Sequence, residues 1–396
     1  MTRWPIATGR TGYEALLGLT VAGLAVASIQ SYALVWPAAA LPTIAPDFAF
    51  PLNQFAWWII ETGFSPVFPV LLAACLGAWL AALDEVPDLR GGRQWGYLGW
   101  LLPIGLVHAY LFWFGDLLVP LAIVGLIAAA GARLTVVSQL IFGTGLVLAT
   151  LAVLLAGSAM TGLVDDSMSR AAALGYPPDR VAALNSLYQA GFWARLPANL
   201  GFALMNQLMQ IVFLGGGIAG VMLIAMAALR TGFFDLRWPD LRYALSGAVA
   251  LGIGWPLAGW ANLHEISTGF APSSAFASSS AKLLATPLIA YGYAALVMLA
   301  CRAGALRVPV EALGRLGRVW LSAYLLGSIV LVFLFSGLPG LSLFAQLPRA
   351  ALLAIALSLA GAMIAAAWFW VPRFRLGPAE WLWLVLVTRT RQSLRH

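Results

Sequence analysis

The feature that most constrains this chain is a series of long apolar runs, each close to the length that a helix needs to cross a bilayer. A transmembrane helix needs about 20 consecutive apolar residues. Only 9% of the 396 residues are charged and 62% are hydrophobic, whereas a soluble domain carries roughly 25% charged residues. The pattern predicts an all-α, polytopic integral membrane bundle. Its ten predicted transmembrane helices cover residues 12–36, 55–83, 95–114, 117–131, 134–157, 203–229, 243–260, 283–301, 319–337 and 348–371.

The third and fourth predicted spans are separated only by Gly115 and Asp116, so this part is either one long helix or a tight helical hairpin. Basic residues distinguish the two, because cytoplasmic loops carry an excess of Lys and Arg. With a hairpin and a cytoplasmic N-terminus, 17 of the 22 basic residues fall on the cytoplasmic side. The five outer ones are Arg170, Arg180, Arg195, Lys282 and Arg349. We therefore predict the hairpin, with both termini cytoplasmic and Asp116 at the outer face.

Two segments between the predicted spans are long enough to carry structure or function of their own. Residues 158–201 are predicted to lie outside the membrane, and residues 179–195 within them suit an interfacial helix. Residues 261–281 form a second outer loop that is rich in serine. We find no soluble domain and no convincing internal repeat in the sequence, so residues 1–396 are predicted to form a single membrane domain.

One histidine and one aspartate, His108 and Asp116, lie in a stretch that otherwise reads as lipid-soluble. Ionisable groups at membrane depth are costly unless they are paired or face water, and they often mark functional sites. The predicted topology places Glu61, His264 and Glu265 in the same outer half. A carboxylate beside an imidazole fixes its tautomer and raises its basicity, as general-base work on a hydroxyl requires. The cluster therefore predicts catalytic roles for the first pair and substrate binding for the other three. The alternatives are an interhelical hydrogen bond, a capped turn and a solvated loop.

The charge and cysteine patterns argue against several other classes of protein. The net charge of +7 is spread over many short loops rather than gathered in a patch, so no nucleic-acid partner is predicted. Cys75 and Cys301 lie in apolar runs and are interpreted as small buried hydrophobic residues. Neither His-Glu-x-x-His nor Cys-x-x-Cys occurs. We predict no metal site and no tightly bound cofactor.

Several stretches resemble the YeiB-like membrane family, which has been classed as a domain of unknown function. The most specific one runs from Trp370 to Trp383 and contains Gly377-Pro378-Ala-Glu380-Trp381. Four further stretches fit the family in the same order along the chain. They are His108 to Asp116, Gly220 to Met226, Leu288 to Tyr293 and Gly317 to Leu325. Together they cover the chain from about residue 55 to 390.

The resemblance implies a helical bundle related to the transmembrane acyltransferases. In that wider group an acyl group, often acetyl from acyl-CoA, is transferred to a sugar or similar acceptor at the far face of the membrane. A histidine is usually the key catalytic residue, and His108 would be that residue here. We expect Asp116 to orient it and a group of cytoplasmic arginines to hold the phosphates of acyl-CoA, since arginine pairs well with phosphate. Those arginines are Arg302, Arg307, Arg315 and Arg318.

Three positions depart from the family pattern. The Asp-x-x-Arg-Gly opening is here Glu14-Ala-Leu-Leu17-Gly18, without the arginine. The family's Asn and Gln in Gly-Arg-x-x-Leu-Thr-Asn-Tyr-x-x-Gln are here Ala323 and Gly327, and the arginine that usually follows the C-terminal signature is Leu384.

The sequence thus predicts a bacterial-type inner-membrane protein whose partners are the lipid bilayer, acyl-CoA and an envelope glycan or small-molecule acceptor. The first hypothesis for its function is the transmembrane acyltransferase that the resemblance implies. The second is a membrane transporter or flippase with a His/Asp proton or solute site. A non-catalytic accessory membrane protein is the third, because three polar groups of the family pattern are lost. Internal symmetry and broken helices near the middle of the membrane would favour the transporter.

Overall fold

The computed structural model describes residues 10–42, 46–85, 93–161, 163, 166, 176–337 and 342–395. These residues form an all-α membrane bundle without a β-strand, which confirms the predicted fold class. Helices dominate because a helix satisfies every backbone hydrogen bond of its own segment inside lipid. The α-helices of the described residues are α1 (Thr11–Ala33), α2 (Trp36–Ala40), α3 (Pro51–Gly63), α4 (Val67–Asp84), α5 (Arg93–Val107), α6 (Leu118–Ala130), α7 (Val136–Thr161), α8 (Pro178–Gln189), α9 (Phe192–Met209), α10 (Gly215–Arg230), α11 (Asp240–Ser267), α12 (Ala275–Arg302), α13 (Arg307–Arg318), α14 (Trp320–Val332), α15 (Arg349–Trp370) and α16 (Pro378–Thr388).

Nine helical segments of the described chain are long and apolar enough to cross a membrane. They correspond to nine of the ten predicted spans. The remaining one, the fourth, is the shorter apolar helix Leu118–Arg133. A turn over residues 113–117 separates α5 from α6, and the two helices pack against each other. The hairpin is therefore observed, while the assignment of its sides to cytoplasm and exterior stays a prediction.

The first helix is the most enclosed of the membrane-spanning segments. It packs against α4, α12, α13, α14 and α15. Its closest approach is to α13, where Gly18 lies against Gly317 and no side chain separates the two backbones. A Cβ atom on Gly18 would overlap the carbonyl of Leu313, and one on Gly317 would overlap the carbonyl of Glu14. Small residues of this kind allow helix backbones to approach closely in membranes.

The second predicted span, residues 55–83, is two helices, and this corrects the expectation of one. The backbone turns over residues 64–66 between α3 and α4, and Ser65 N–H bonds to the Ile60 carbonyl at 2.8 Å. Pro66 explains the break, because a proline lacks the N–H that a continuing helix would need and its ring crowds the preceding turn. Glu61 therefore lies at the C-terminal end of the short helix α3 rather than within a continuous span.

The predicted outer loop 158–201 is also wrong in its extent. Among its described residues, Pro178–Gln189 form α8 and α9 begins at Phe192, about ten residues before the predicted span. Residues 162, 164–165 and 167–175 lie outside the described residues. A window that looks only for apolar side chains missed the start of α9 because Arg195 and Asn199 are polar. Both are buried and hydrogen-bonded within the bundle, so neither exposes its polar group to lipid.

The predicted serine-rich loop 261–281 is wrong for a similar reason. Helix α11 continues to Ser267 and α12 begins at Ala275, so the turn between them is short. The end of α11 carries Asn262 and Glu265, which are buried against neighbouring helices rather than solvated. The chain then reverses at Gly269 and Phe270, which both have positive φ angles near 60°.

Candidate functional site

The site is built around a buried pair, His108 and Asp116, on the two sides of the α5–α6 turn. His108 begins a π-helical turn, residues 108–112, in which Trp113 N–H bonds to the His108 carbonyl at 3.0 Å. His108 Nδ1 and Asp116 Oδ1 are 2.6 Å apart, and both side chains are almost completely buried. The other carboxylate oxygen of Asp116 accepts the Val119 N–H at 2.8 Å, in the first turn of α6. The aspartate is therefore fixed by a helix start, the place where a short acidic side chain satisfies free backbone donors.

This geometry assigns a different role to each ring nitrogen of His108. A hydrogen bond to a carboxylate places the proton of neutral imidazole on Nδ1 and leaves Nε2 as an acceptor. His108 Nε2 is buried and has no hydrogen-bond partner among the described residues. Trp113 Nε1, on a ring 6.2 Å from the imidazole, is likewise buried and unpartnered among them. His108 Nε2, a hydrogen-bond acceptor, and Trp113 Nε1, a donor, are thus both without a partner among the described residues of this enclosed site.

Aromatic rings enclose the pair. The Tyr324 ring of α14 lies 5.0 Å from the His108 ring, and its hydroxyl accepts the Leu117 N–H at 3.3 Å. Tyr32 of α1 stacks on Trp113 at 4.4 Å and donates to Ser328 Oγ at 2.6 Å. These contacts bring α1, α5 and α14 together at one place. A site walled in this way excludes bulk water, and electrostatic interactions inside it are stronger than in solution.

Helix α9 supplies the support of the α5–α6 turn. Asn199 donates to the carbonyls of Ala109 and Tyr110 at 3.0 and 3.1 Å, and its Oδ1 accepts the Phe114 N–H at 3.1 Å. Arg195 donates to the Phe112 carbonyl at 2.9 Å. These bonds satisfy backbone groups that the π turn leaves without helical partners.

Two further side chains of the same region complete this support. Asn206 donates to the Phe114 carbonyl at 3.0 Å, and Gln210 to the Asp116 carbonyl at 3.4 Å. The sequence analysis missed all four of these residues. The signal was present, because polar residues at positions 195, 199, 206 and 210 recur with spacings close to one or two helical turns.

Helix α8 lies beside α9, whose side chains support the α5–α6 turn, and it carries Tyr188. Its ring stacks on Phe344 at 4.6 Å. Burial raises the pKa of the Tyr188 phenol to about 12, partly opposed by the nearby Arg195. The phenol therefore stays protonated at neutral pH.

Of the five residues of the predicted outer cluster, Glu61 and Glu265 lie within electrostatic range of each other and of Lys282. His108 pairs with Asp116 as described. Glu61 accepts a hydrogen bond from Gln30 at 3.1 Å, and Glu265 forms an ion pair with Lys282. His264 stacks on Trp260 at 5.2 Å with nearly parallel rings. The substrate-binding role predicted for Glu61, His264 and Glu265 stays a prediction.

A second buried charged group lies next to Glu61 and is centred on Arg349, the first residue of α15. Its guanidinium donates to Gln30 Oε1 at 3.2 Å, to Asp47 Oδ1 at 2.6 Å and to the Ala38 carbonyl at 2.7 Å. Gln30 thus joins Arg349 to Glu61. We call Gln30, Asp47, Glu61 and Arg349 the Arg349 network.

The four arginines predicted to hold acyl-CoA phosphates lie at the end of α12 and along α13. Arg302 is the last residue of α12. It pairs with Asp240 and donates to the Leu236 carbonyl. The other three lie on α13, where Arg315 pairs with Glu311 and Arg318 pairs with Glu14. Arg307 is exposed at the start of that helix. Phosphate binding by these four arginines stays a prediction.

Two motifs of the resemblance meet in space. The Glu380 carboxylate accepts the Leu321 and Ser322 N–H groups at 2.7 and 3.2 Å and also bonds to the Ser322 hydroxyl. It therefore caps the N-terminus of α14, where a negative charge is favourable. Burial raises the pKa of Glu380, and these hydrogen bonds oppose that shift. The side chain is fully enclosed, so the geometry gives it a structural role.

Metal ligands do not converge in the part of the chain that the structure describes. No group of three or more His, Cys, Asp or Glu side chains lies close enough together to hold an ion.

Comparisons with known proteins give two matches. The family described as "Protein of unknown function (DUF418)" matches residues 228–390. Over 384 residues the chain is 30% identical to "Uncharacterized protein YeiB" of Escherichia coli (strain K12), and the alignment covers 94% of each chain. No solved structure matches.

Proposed function

The chain belongs to the YeiB-like (DUF418) family, and from that premise we propose that it is a transmembrane acyltransferase. The donor in this proposal is an acyl thioester such as acyl-CoA, and the acceptor is a sugar or another hydroxyl- or amine-bearing molecule at the outer face of the membrane. The bacterial inner membrane is the proposed location, where a cytoplasmic donor and an envelope acceptor can meet across one protein.

The observation that carries the proposal is the 2.6 Å contact between His108 Nδ1 and Asp116 Oδ1, with His108 Nε2 left unpartnered. A base oriented by a carboxylate on its far nitrogen is the arrangement that activates a hydroxyl in acyl transfer. A purely structural buried histidine would be expected to satisfy both nitrogens.

The proposed step balances without an oxidant or a metal. The acceptor hydroxyl gives its proton to His108 Nε2 as its oxygen bonds to the thioester carbonyl carbon. The carbon–sulfur bond then breaks, and the departing thiolate takes the proton from the imidazolium. Asp116 stabilises the imidazolium between these events, and in this proposal Trp113 Nε1, on the neighbouring ring, donates to the carbonyl oxygen.

The experiment uses the full-length protein in nanodiscs with acetyl-, octanoyl- and palmitoyl-CoA and a panel of sugars, amino sugars and glycerolipids. Release of free CoA thiol reports transfer. We expect His108→Gln to lower the rate about 10²–10⁴-fold, the usual contribution of general acid–base catalysis. His396→Gln, the same substitution at the last residue, controls for loss of a histidine. Transfer that persists in His108→Gln would contradict the proposal.

Thermal unfolding separates binding from chemistry. A ligand at 100 times its dissociation constant stabilises the folded state by about 2.7 kcal/mol. We expect acyl-CoA to raise the melting temperature of the wild type and of His108→Gln alike. If no acyl-CoA stabilises a folded preparation, the thioester donor is wrong.

A second function, proton-coupled transport, has one observation in its favour. Among the described residues, three helical segments contain π turns, at residues 108–112, 210–214 and 333–337, and the first two lie beside Asp116. Interrupted helices around a buried ionisable pair are typical of transporters. In liposomes, substrate-dependent proton uptake that His108→Gln abolishes, without thiol release in any assay, would favour transport over acyl transfer.

A further inference from the structure

Two arginines of the described chain are buried, and they differ in what balances their charge. Arg349 is fully enclosed and forms an ion pair with Asp47 at 2.6 Å. Arg195 is 3% exposed, and among the described residues no carboxylate lies within ion-pair distance of its guanidinium. A buried charge is costly unless an opposite charge compensates it. Arg195 is therefore a buried cation to which the described residues give no counter-ion.

The groups that do surround Arg195 are neutral. Its guanidinium donates to the Phe112 carbonyl at 2.9 Å and lies 3.5 Å from Asn199 Oδ1. The phenols of Tyr32 and Tyr188 lie within electrostatic range of it. A phenol ordinarily ionises at about pH 10, so none of these four groups supplies a negative charge at neutral pH.

The position of Arg195 in α9 adds positive charge to the same place. Arg195 lies in the first turn of this 18-residue helix, where the partial charge of the helix dipole is positive. That turn contains no acidic residue, and no side chain caps the N-terminus of the helix. The start of α9 therefore favours a negative group beside Arg195, as helix N-termini do when they bind anions.

Two hydrogen-bond donors at this place have no partner among the described residues. Arg195 Nε is buried without an acceptor, and so is the hydroxyl of Tyr188, a residue that is 4% exposed. Buried polar groups are normally hydrogen-bonded. A single acceptor beside both groups would satisfy the two donors, and a negatively charged acceptor would also balance the guanidinium. Water would satisfy the donors but leave the charge unbalanced.

The chemistry of the guanidinium selects an oxyanion. It presents its Nε–H and an Nη–H side by side, a fork that matches two oxygens of a carboxylate or phosphate. The start of α9 also lies at the surface of the protein, since Ala190 is exposed and Trp193 is 79% exposed. Arg195 follows Trp193 by two residues, and the predicted topology places this end of α9 on the outer side of the membrane.

We propose that Arg195 and Tyr188 bind an oxyanion at the outer end of α9. The oxyanion is the carboxylate or phosphate group of a soluble molecule or of a lipid headgroup. This inference goes beyond the proposed acyl transfer and does not depend on it. Because Arg195 also donates to the carbonyl of Phe112, the last residue of the His108 π turn, the bound oxyanion lies beside the turn that carries the candidate base.

The experiment titrates the full chain in dodecyl maltoside with inorganic phosphate or acetate, at constant ionic strength set with chloride, and follows the melting temperature. A ligand that binds the folded state raises the melting temperature through a saturable site. General salting-out does not saturate and acts on every variant alike. We expect a saturable rise for the wild type and none for Arg195→Gln, which removes the charge. No acyl-CoA is present, so the outcome is independent of acyl transfer.

Tyr188→Phe is the sharper variant, because it removes only an unpartnered hydroxyl. Without phosphate or acetate it should melt at the wild-type temperature or above, since an unsatisfied buried group is lost. Its apparent dissociation constant for the anion should rise about tenfold, because a hydrogen bond to a charged group is lost. Tyr243→Phe is the matched control. Its hydroxyl donates to the Phe233 carbonyl at 2.6 Å, so this variant should melt at a lower temperature and respond to the anions as the wild type does.

Phosphatidylglycerol added to the micelles distinguishes the two sources of the oxyanion. A saturable rise with this lipid alone, weakened in Tyr188→Phe, assigns the site to a lipid headgroup, and a rise with phosphate or acetate assigns it to a soluble molecule. Three results would contradict the proposal. They are the absence of a saturable rise with any of these ligands, wild-type affinity in Tyr188→Phe, and a ligand-free Tyr188→Phe as destabilised as Tyr243→Phe.

Discussion

Two buried charged groups in this bundle differ in how many of their nitrogen atoms have hydrogen-bond partners. In the Arg349 network every guanidinium nitrogen donates to a partner. His108 is as deeply buried, yet among the described residues only one of its two ring nitrogens is bonded. The first arrangement fixes the start of α15 to the segment that carries Asp47. The second keeps an acceptor free inside an aromatic enclosure. The two groups therefore predict different responses to substitution.

The largest expected effect is on the orientation of His108. Replacing Asp116 with Asn presents an amide to Nδ1 and favours the other tautomer, which places the proton on Nε2 and removes the base. We expect Asp116→Asn to slow acyl transfer about 10²–10⁴-fold, as much as His108→Gln does. Histidine-selective ¹⁵N NMR checks the cause directly, because the chain has only three histidines. An unchanged His108 tautomer in Asp116→Asn would show that Asp116 does not orient the imidazole. The inferred difference between the His108 pair and the Arg349 network would then be lost.

A substitution in the Arg349 network should instead lower the free energy of unfolding. Arg349→Met removes the guanidinium bonds to Asp47 and Gln30, while the backbone N–H of residue 349 still bonds to Asp47 and Gln30 still donates to Glu61. Breaking a buried ion pair on one side costs about 3–5 kcal/mol. Denaturant unfolding in detergent would measure this loss. Arg373→Met, the same substitution at an exposed site just beyond the other end of α15, should change stability by less than about 0.5 kcal/mol. Equal effects in the two variants would show that the network is not the stabilising lock inferred here.

Substitutions in helix α9 should affect both stability and the candidate site, because its polar face supports the His108 turn through backbone hydrogen bonds. Asn199→Ala removes partners from the Phe114 N–H and two carbonyls, which should cost about 1–3 kcal/mol. Faster amide hydrogen exchange at residues 109–114 should accompany the loss. Leu200→Ala, at a partly lipid-exposed neighbour, is the control and should leave that exchange rate unchanged.

Glu380 should give the smallest effect, since it resembles the Arg349 network in having a structural role. In Glu380→Gln the amide oxygen keeps one backbone bond and the charge is lost, so we expect destabilisation of about 1 kcal/mol. Thermal unfolding is the measurement, with acyl-CoA binding as a second readout. A large loss of transfer with unchanged stability would instead place Glu380 in the chemistry.

Much of the candidate site could be predicted from local sequence. His108 and Asp116 are eight residues apart on two sides of a Gly-Asp turn, so an α5–α6 hairpin brings them together whatever the other helices do. Asn199, Ser328 and Tyr324 could not be found in this way, because they reach the site from helices far away in the chain. Lys282, which pairs with Glu265 and lies within electrostatic range of Glu61, could not be found in this way either, because it reaches them from α12.

The sequence by itself determined the class of the protein, since its apolar runs have no other stable arrangement than helices in lipid. It also determined the hairpin, through the distribution of arginines, and the identity of the candidate base. Only the tertiary structure decided where the helices begin and end at polar residues. Arg195, Asn199 and Glu265 continue helices because distant partners satisfy them, and a local window of hydropathy contains no information about those partners. The enclosure of His108 by Tyr32 and Tyr324 likewise depends on how α1 and α14 pack against the α5–α6 turn, which no single helix encodes.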